Sequence, residues 1–334
     1  MFMKTMVRPR IIVSSLLLLL CSPCFAIDVD RDDVAAFIDS MVREHAYDRA
    51  ELEQILGEAE IQESILELIA RPAEKTKTWG EYRDIFLTDE RVGAGTTFWL
   101  ENRDTLERTS RDSGVPIEIM VGIIGVETYF GRITGGHRVL DALTTLAFDY
   151  PPRTKFFRRE LQEFLLLVRE EGMLATAAAG SYAGAMGRPQ FMPSSYRAYA
   201  VDSTGDGKRD IWNDWADVTG SIANYMTEHG WKPGEDITTL ATLSDRWQGP
   251  LPENTLQPQA TVTSLSESGV MFSTELPSDS VSQLITLEGH GGPEHWVGFH
   301  NFFVITRYNR SVMYALAVYQ LGQEIAVQVR DAGS

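Results

Sequence analysis

Cysteine is almost absent from this chain, since only Cys21 and Cys24 occur among its 334 residues. Both lie in an N-terminal segment with a basic start, an apolar run over 11–20 and a small residue at Ala26. This pattern is typical of a secretory signal, and the apolar run is too short for a comfortable membrane span. We therefore predict that residues 1–26 are a signal peptide cleaved after Ala26, and that the exported chain folds without disulfides.

The predicted location of the mature protein is the periplasm. Neither cysteine is preceded by the Leu-small-small pattern that marks a lipid-attachment signal. Lipid anchoring is therefore not expected. An uncleaved N-terminal anchor remains the alternative interpretation of this segment.

Positive charge is scarce, with 30 Lys and Arg against 47 Asp and Glu and a formal net charge of −17. This balance argues against nucleic acid as a partner and favours a solvated, mutually repelling surface. Over 128–201, however, Lys and Arg outnumber Asp and Glu. A locally basic stretch indicates an anionic substrate nearby, with an ordinary solvated face as the alternative.

Internal repeats and low-complexity tracts are also absent, and the length fits two or three domains. Apolar periodicity and capping residues predict a mainly α-helical chain. The helices are expected at 33–45, 48–59, 61–70, 89–113, 154–171, 218–229 and 311–329. We expect close-packed turns over 175–199, and a small β-rich module from 237 with short strands such as 261–265 and 281–288.

Glu127 ends an unbroken stretch of small and apolar residues, 120–126. Burial among apolar neighbours disfavours the charged form of a carboxyl group, so such a group can stay protonated near neutral pH. Cleavage of a glycosidic bond first requires a protonated acid in a cleft. Glu127 is therefore a candidate general acid, and a Glu at a helix end that points into water is the alternative.

A second motif, 180–196, is poor in charge and dense in Gly, Ala, Ser and Pro. Small residues would let a sugar chain lie close to the backbone. Ser181 and Gln190 offer hydrogen-bond groups for hydroxyl and acetamido substituents. A tight loop that packs under the core is the alternative.

A third motif, over 202–213, places oxygen-bearing side chains and a Gly at the spacing of the first half of an EF-hand loop. Asn213 stands where a bidentate Glu normally closes that loop, so Asp214 or Asp217 would have to supply the last oxygen. We predict a structural calcium ion at this loop, with a plain Asp/Gly turn as the alternative.

These three motifs, in this order and spacing, resemble those of the lytic murein transglycosylase B family, glycoside hydrolase family 103. The resemblance covers about 86–327 and, more weakly, the N-terminal helices. Further segments that fit the family's pattern are Phe98-Trp99, 140–143, Thr145-Leu146, Phe148, Tyr150-Pro151, Glu160, Phe164-Leu165, Gly220-Ser221, 223–225, 229–231 and 305–309.

The resemblance implies a mainly α fold (α+β) with a lysozyme-like helical catalytic core over 114–236, including the calcium loop 202–217. An N-terminal helical domain, 27–113, would pack with the C-terminal helix at 311–330. A small antiparallel β-rich module, 237–300, would be followed by a return to the core over 301–334.

The resemblance also assigns site residues. Glu127 is the implied catalytic residue. The implied sugar- and peptide-binding residues are Tyr82, Arg153, Ser181, Gln190, Tyr225, Asn309 and Tyr314. The implied calcium ligands are Asp202, Thr204, Asp206, Lys208 through its carbonyl, and Asp217. The family tends to have two arginines after Tyr-Pro, whereas this chain has Pro152-Arg153, so only Arg153 carries over.

The implied activity is cleavage of the β-1,4 bond between N-acetylmuramic acid and N-acetylglucosamine in peptidoglycan, leaving 1,6-anhydromuramic acid ends. One Glu would act as acid and then as base, because the two loop motifs contain no obvious second carboxylate, and Asp141 and Asp149 read as helix-cap or surface residues. A hydrolytic muramidase and a non-catalytic wall-binding protein remain the alternatives. We expect glycan strands as the ligand, no organic cofactor, a monomer, and association with other cell-wall enzymes.

Overall fold

The computed structural model describes residues 25–70 and 77–332. Residues 1–24 of the predicted signal lie outside that part of the chain. Phe25–Ala26 form a short strand, β1, which pairs with β2, Glu60–Ile61. Cleavage after Ala26 would therefore remove β1 from the mature protein.

Helices dominate the described residues. The six that precede the predicted catalytic region are α1 Asp32–His45, α2 Arg49–Gly57, α3 Glu63–Ile69, α4 Trp79–Phe86, α5 Asp89–Glu101 and α6 Arg103–Ser113. The eight that follow are α7 Ile117–Thr128, α8 Val139–Asp149, α9 Thr154–Glu171, α10 Pro193–Tyr199, α11 Trp215–Glu228, α12 Val262–Glu267, α13 His300–Tyr308 and α14 Val312–Ala332.

Side-chain caps explain several helix starts. Asp48 accepts the Glu51 backbone N–H at the start of α2, as its sequence pattern predicts. Thr78 and Glu81 form a reciprocal capping box at the start of α4. Gly114 ends α6 in the left-handed conformation that glycine favours.

Three local predictions were wrong. The helix predicted over 89–113 is two helices, because the backbone at Asn102 leaves helical geometry. The segment 175–199 is not all turns, since Pro193 begins α10 at the position in a helix where a missing N–H costs least. The strand predicted over 261–265 is largely α12, which Thr261 and Ser264 cap reciprocally.

Beyond β1 and β2, the strands form a two-stranded pair and a five-stranded sheet. The pair is β3 His137–Arg138 with β4 Ala179–Gly180. The sheet has the antiparallel order β6-β8-β9-β5-β7, from strands β5 Thr238–Leu243, β6 Ala260–Thr261, β7 Val270–Met271, β8 Val281–Gly289 and β9 Gly292–Phe299.

The sheet has its own small apolar core, which includes Val270, Leu284 and Phe299. The points where the chain enters and leaves this β-rich module are adjacent, because Phe299 N donates to Ile237 O at 3.0 Å. The larger apolar core runs from the N-terminal helices to α14. The predicted domain boundaries themselves stay a prediction.

The tip of the β8–β9 hairpin contacts α4. Glu294 accepts from Trp79 Nε1 and from Arg83 Nη1, each at 3.1 Å. A Cβ added to Gly80 would lie 2.9 Å from His290 Nδ1. The β module therefore holds the helix that carries Tyr82.

The closest helix packing joins α7 to α14. A Cβ added to Gly122 would collide with the carbonyl oxygen of Val318, and one added to Gly322 would collide with that of Glu118. Glycine at both positions lets the two helices lie almost backbone against backbone.

Replacing Gly122 with Ala should destabilise the protein by about 1–3 kcal/mol, because overpacking forces backbone shifts. Gly93→Ala is the matched control, since nothing lies within 4 Å of its added Cβ and Ala favours an exposed helix. Chemical denaturation would measure both changes. Equal stability of the two variants would contradict the close packing.

Candidate active site

Glu127 lies one residue before the end of α7, where the helix leaves the apolar core. Residues 119–125 of this helix are buried, whereas Glu127 is half-buried. Tyr129 and Phe130 then adopt left-handed backbone conformations, with φ of 50° and 58°. Such conformations are costly for non-glycine residues and concentrate at functional sites.

Tyr314 of α14 is the direct partner of Glu127. Its hydroxyl donates to Glu127 Oε1 at 2.6 Å, and its side chain is 1% exposed. Burial raises the pKa of Tyr314 well above its ordinary value, and the Glu127 carboxylate raises it further. Tyr314 therefore remains a protonated donor at neutral pH.

Further tyrosines surround this pair. Tyr308 stacks on Tyr314 with ring centroids 6.5 Å apart, and Tyr225 lies 4.9 Å from Tyr308. Tyr82, on α4, is buried and close enough to contribute to the raised pKa of Tyr314. The structure thus brings the predicted residues Tyr82, Tyr225 and Tyr314 together with Glu127.

Tyr308 was missed as a site residue by sequence reasoning. Its hydroxyl donates to Pro189 O at 2.6 Å, which fixes the second loop motif against the aromatic group. Phe191 of that loop lies 5.7 Å from Tyr225 and 5.8 Å from Tyr308. The 305–309 segment contains this residue, but Asn309 was the residue of that segment given a site role.

The Ser181 hydroxyl closes a tight turn, where it accepts the backbone N–H groups of Ala183 and Ala185 at 3.3 and 3.1 Å. Gln190 adopts a positive φ of 53°. Its amide nitrogen donates to Gly187 O at 2.8 Å and to Thr134 O at 3.1 Å. Nε2 donates both hydrogen bonds, and these two bonds fix the orientation of the Gln190 side-chain oxygen, Oε1.

Arg188 connects the loop to the predicted calcium segment. Its Nη1 donates to Asn213 O at 3.0 Å, and its guanidinium carbon lies 3.9 Å from the centroid of the Trp215 ring. Its own carbonyl accepts from Thr128 Oγ1 at 3.1 Å, next to Glu127. This arginine therefore ties the end of α7 to the segment before α11.

Two predicted substrate residues lack a described contact with this group. The exposed Arg153 packs its guanidinium over Phe156 and Phe157, at 4.1 and 5.4 Å from the ring centroids. Asn309 is half-buried at the end of α13, and its carbonyl accepts from Ser311 N at 2.7 Å. Their assigned roles stay predictions.

The other carboxylates considered for catalysis are held elsewhere. Asp141 is buried rather than a surface residue, and its oxygens accept from Arg138 at 2.6 and 2.7 Å and from Glu60 N at 2.9 Å. Asp149 pairs with Arg31 at 2.9 Å. Both side chains therefore stabilise packing between the N-terminal helices and α8.

The predicted calcium loop is folded around Asp202. This carboxylate accepts from the backbone N–H groups of Gly205 and Gly207 at 2.6 and 2.7 Å, and from Thr204 Oγ1 at 3.2 Å. Donation by Gly207 lowers the pKa of Asp202. These hydrogen bonds fold residues 204–207 around the Asp202 carboxylate.

Asp217 closes the same loop from α11. It is 1% exposed and accepts from Ser203 N and Asp210 N, both at 2.8 Å. Burial raises its pKa, and the charges of Asp214 and Asp202 raise it further. A hard cation would offset this repulsion, so the oxygen donors fit calcium. Over the described ranges, however, no three His, Cys, Asp or Glu side chains form a metal-holding group.

Comparison with known proteins identifies the family. Residues 30–323 match the model described as "Transglycosylase SLT domain". The chain is 42% identical over 300 residues to "Membrane-bound lytic murein transglycosylase B" of Escherichia coli (strain K12), covering 87% of this chain and 82% of the relative.

The chain belongs to the lytic murein transglycosylase B family. It is therefore a lytic transglycosylase that acts on peptidoglycan, and its mainly helical fold with a small antiparallel sheet agrees with that family's fold. The predictions of family, fold class and enzyme class are thereby confirmed.

Solved structures of relatives superpose closely. Soluble lytic transglycosylase SltB1 from Pseudomonas aeruginosa has a TM-score of 0.84 and 47% identity, covering 90% of this chain and 100% of that chain. The E. coli lytic transglycosylase Slt35, solved in complex with calcium, has a TM-score of 0.83 and 40% identity, with coverages of 92% and 96%. SltB3 from P. aeruginosa, in complex with NAG-NAM-pentapeptide, has a TM-score of 0.75 and 28% identity, with coverages of 87% and 78%.

Tyr314→Phe should lower the catalytic rate by roughly ten- to a hundredfold, because a hydrogen bond to a charged group contributes about 1.5–3 kcal/mol. Tyr319→Phe removes a half-buried hydroxyl from the same helix and should leave the rate unchanged. Turnover of purified sacculi would measure both. An unaltered rate in Tyr314→Phe would make its bond to Glu127 incidental.

Proposed function

We propose that this lytic transglycosylase cleaves the β-1,4 bond between N-acetylmuramic acid and N-acetylglucosamine, and that Glu127 serves first as acid and then as base. The observation that carries the proposal is the Tyr314 hydroxyl donating to Glu127 Oε1, where Glu127 is half-buried at the end of an apolar helix. The engagement of Asp141 and Asp149 in ion pairs supports a mechanism with one carboxylate.

In the first step, protonated Glu127 donates to the glycosidic oxygen. Because Tyr314 donates to Oε1, the carboxyl proton resides on Oε2. The bond from C1 of the muramic acid to the leaving oxygen breaks, and positive charge develops on the sugar ring. The 2-acetamido group of the substrate stabilises that charge.

In the second step, Glu127 is a carboxylate and acts as the base. The C6 hydroxyl of the same muramic acid attacks C1, and Glu127 takes its proton. A 1,6-anhydro ring forms and no water is consumed. The Tyr314 hydrogen bond stabilises the carboxylate that exists between the two steps.

Substrate positioning would fall to the surrounding groups. Gln190 presents Oε1 from a fixed amide, and Ser181 shapes the turn beside it. Tyr82 and Tyr225 belong to the aromatic group around Tyr314, and Asn309 follows Tyr308 of that group in sequence. The exposed Arg153 suits the anionic lactyl-peptide substituent.

Digestion of sacculi should give muropeptides one water lighter than the products of hydrolysis, because the C6 hydroxyl replaces water. Mass spectrometry of the products measures this directly. Reducing ends of normal mass would instead indicate a hydrolytic muramidase.

Glu127→Gln is the matched control for this experiment, since it keeps size and hydrogen bonding while removing the titratable proton. It should abolish product formation and leave binding of sacculi largely intact. Product formation by this variant would show that Glu127 is not the catalytic residue. If the unsubstituted protein bound sacculi but formed no product, it would instead be a wall-binding protein.

A structural calcium ion is part of the proposal. Asp202, Thr204, Asp206, Asp217 and the carbonyl of Lys208 would hold it through oxygens, which calcium prefers. The Slt35 complex with calcium supports this assignment. The ion would neutralise the negative charge of the loop. Arg188, which contacts Asn213 and Thr128, would then hold this loop in a fixed position relative to the end of α7.

Calcium should raise the free energy of unfolding, by about 2.7 kcal/mol at a concentration near one hundred times its dissociation constant. Thermal unfolding with and without a chelator measures the shift. Asp206→Asn keeps an acceptor for Lys208 N but loses one charge, so it should reduce the shift. An unchanged melting temperature after calcium addition would exclude the site.

The location proposed for the enzyme is the periplasm, after cleavage behind Ala26. Across 25–70 and 77–332, no helix is long and apolar enough to cross a bilayer. The relative from E. coli is named as membrane-bound, so N-terminal sequencing of the exported protein would decide between cleavage and anchoring.

A further inference from the structure

A basic cleft lies next to His229, whose ring stacks on Tyr225. Two adjoining cavities of about 240 and 290 Å³ share His229, Leu256, Gln257 and Arg307, and Arg310 lines the first of them. The α13 helix supplies Arg307, and the segment before β6 supplies Gln257. We call this the arginine cleft.

Its charge contrasts with the rest of the chain. The formal net charge is −17, yet neither cavity has an acidic residue among its described lining. Arg307 and Arg310 are both exposed, and no ion pair joins either guanidinium to a carboxylate of the described residues. Two arginines that line one cavity without an ion-pair partner favour an anionic ligand.

The cleft is connected to Glu127 through the aromatic group. The His229 ring stacks on Tyr225 at 4.1 Å, Tyr225 lies 4.9 Å from Tyr308, and Tyr308 lies 6.5 Å from Tyr314. The Tyr225 hydroxyl also donates to Arg307 O at 2.7 Å. Three ring-to-ring steps therefore separate the cleft from the partner of Glu127.

The three ring-to-ring distances of 4.1, 4.9 and 6.5 Å set an upper limit on the distance from His229 to Tyr314, and that limit lies within the reach of a peptidoglycan stem peptide. The peptide is attached to the muramic acid whose bond is cleaved, and four or five extended residues span roughly 13–18 Å. A stem peptide that is not crosslinked ends in a free carboxylate. Bidentate pairing with guanidinium is the strongest recognition available to such a group.

We infer that the arginine cleft binds the free C-terminal carboxylate of the stem peptide, so that the enzyme favours strands with uncrosslinked peptides. The inference rests on the proposed function. It also gives the β module a role, because Leu256 and Gln257 form the wall of the cleft opposite α13.

The test compares three glycan oligomers that differ only in the peptide: one with a pentapeptide acid, one with the pentapeptide amide and one without peptide. Their dissociation constants are measured by calorimetry on Glu127→Gln, which should not turn them over. The acid should bind about tenfold more tightly than the amide, as expected for one hydrogen-bonded charge pair. Equal binding of the acid and the amide would overturn the inference. This comparison requires no substitution in the cleft.

The protein side is tested by adding Arg307→Ala and Arg310→Ala together. Loss of the acid preference, with unchanged binding of the peptide-free oligomer, is the expected result. Arg111→Ala on α6 removes the same charge from an exposed position outside the cleft and should retain the preference. Retention of the preference in the double variant would rule out the cleft.

Failure of the proposed function is a separate result. In that case the unsubstituted enzyme releases no anhydro product from any of the three oligomers, whatever their relative affinities. A normal anhydro product from all three, with equal affinity for acid and amide, would contradict only the arginine cleft.

Discussion

The contact between α7 and α14 is the constraint on which the site depends. Gly122 and Gly322 let the two helices approach until side chains near their ends meet. Glu127 and Tyr314 are 187 positions apart in sequence, yet this packing leaves their polar atoms 2.6 Å apart. A larger residue at either glycine should push the helices apart and so change that distance.

Three further sets of contacts fix the groups around this pair. The β8–β9 hairpin positions α4 and with it Tyr82. The 180–191 loop is fixed by Tyr308 and by the amide of Gln190. Arg188 links that loop to the acidic segment near α11. Since each link is made by a polar group with little freedom, the site is largely preorganised.

The sequence predicted the family and the enzyme class better than the local geometry. Glu127, the 180–196 motif and the acidic loop were recognisable because each depends on a short, unusual run of residues. The bond from Tyr314 to Glu127 was not recognisable, because it depends on packing between distant helices. The break at Asn102 was missed because it depends on the backbone conformation of one residue. The helix at 262–267 was missed because it depends on one pair of capping side chains.

The adjacency of Ile237 and Phe299 has a consequence for how the chain folds. More than sixty residues separate α11 from α13, and joining distant segments costs conformational entropy. Because one hydrogen bond joins Ile237 to Phe299, folding of the module leaves only residues 229–236 between α11 and the point where the chain enters α13. The hairpin β8–β9 has local, antiparallel pairing that forms readily. Folding of the inserted module therefore lowers the entropic cost of bringing α13 and α14 back to the first half of the protein.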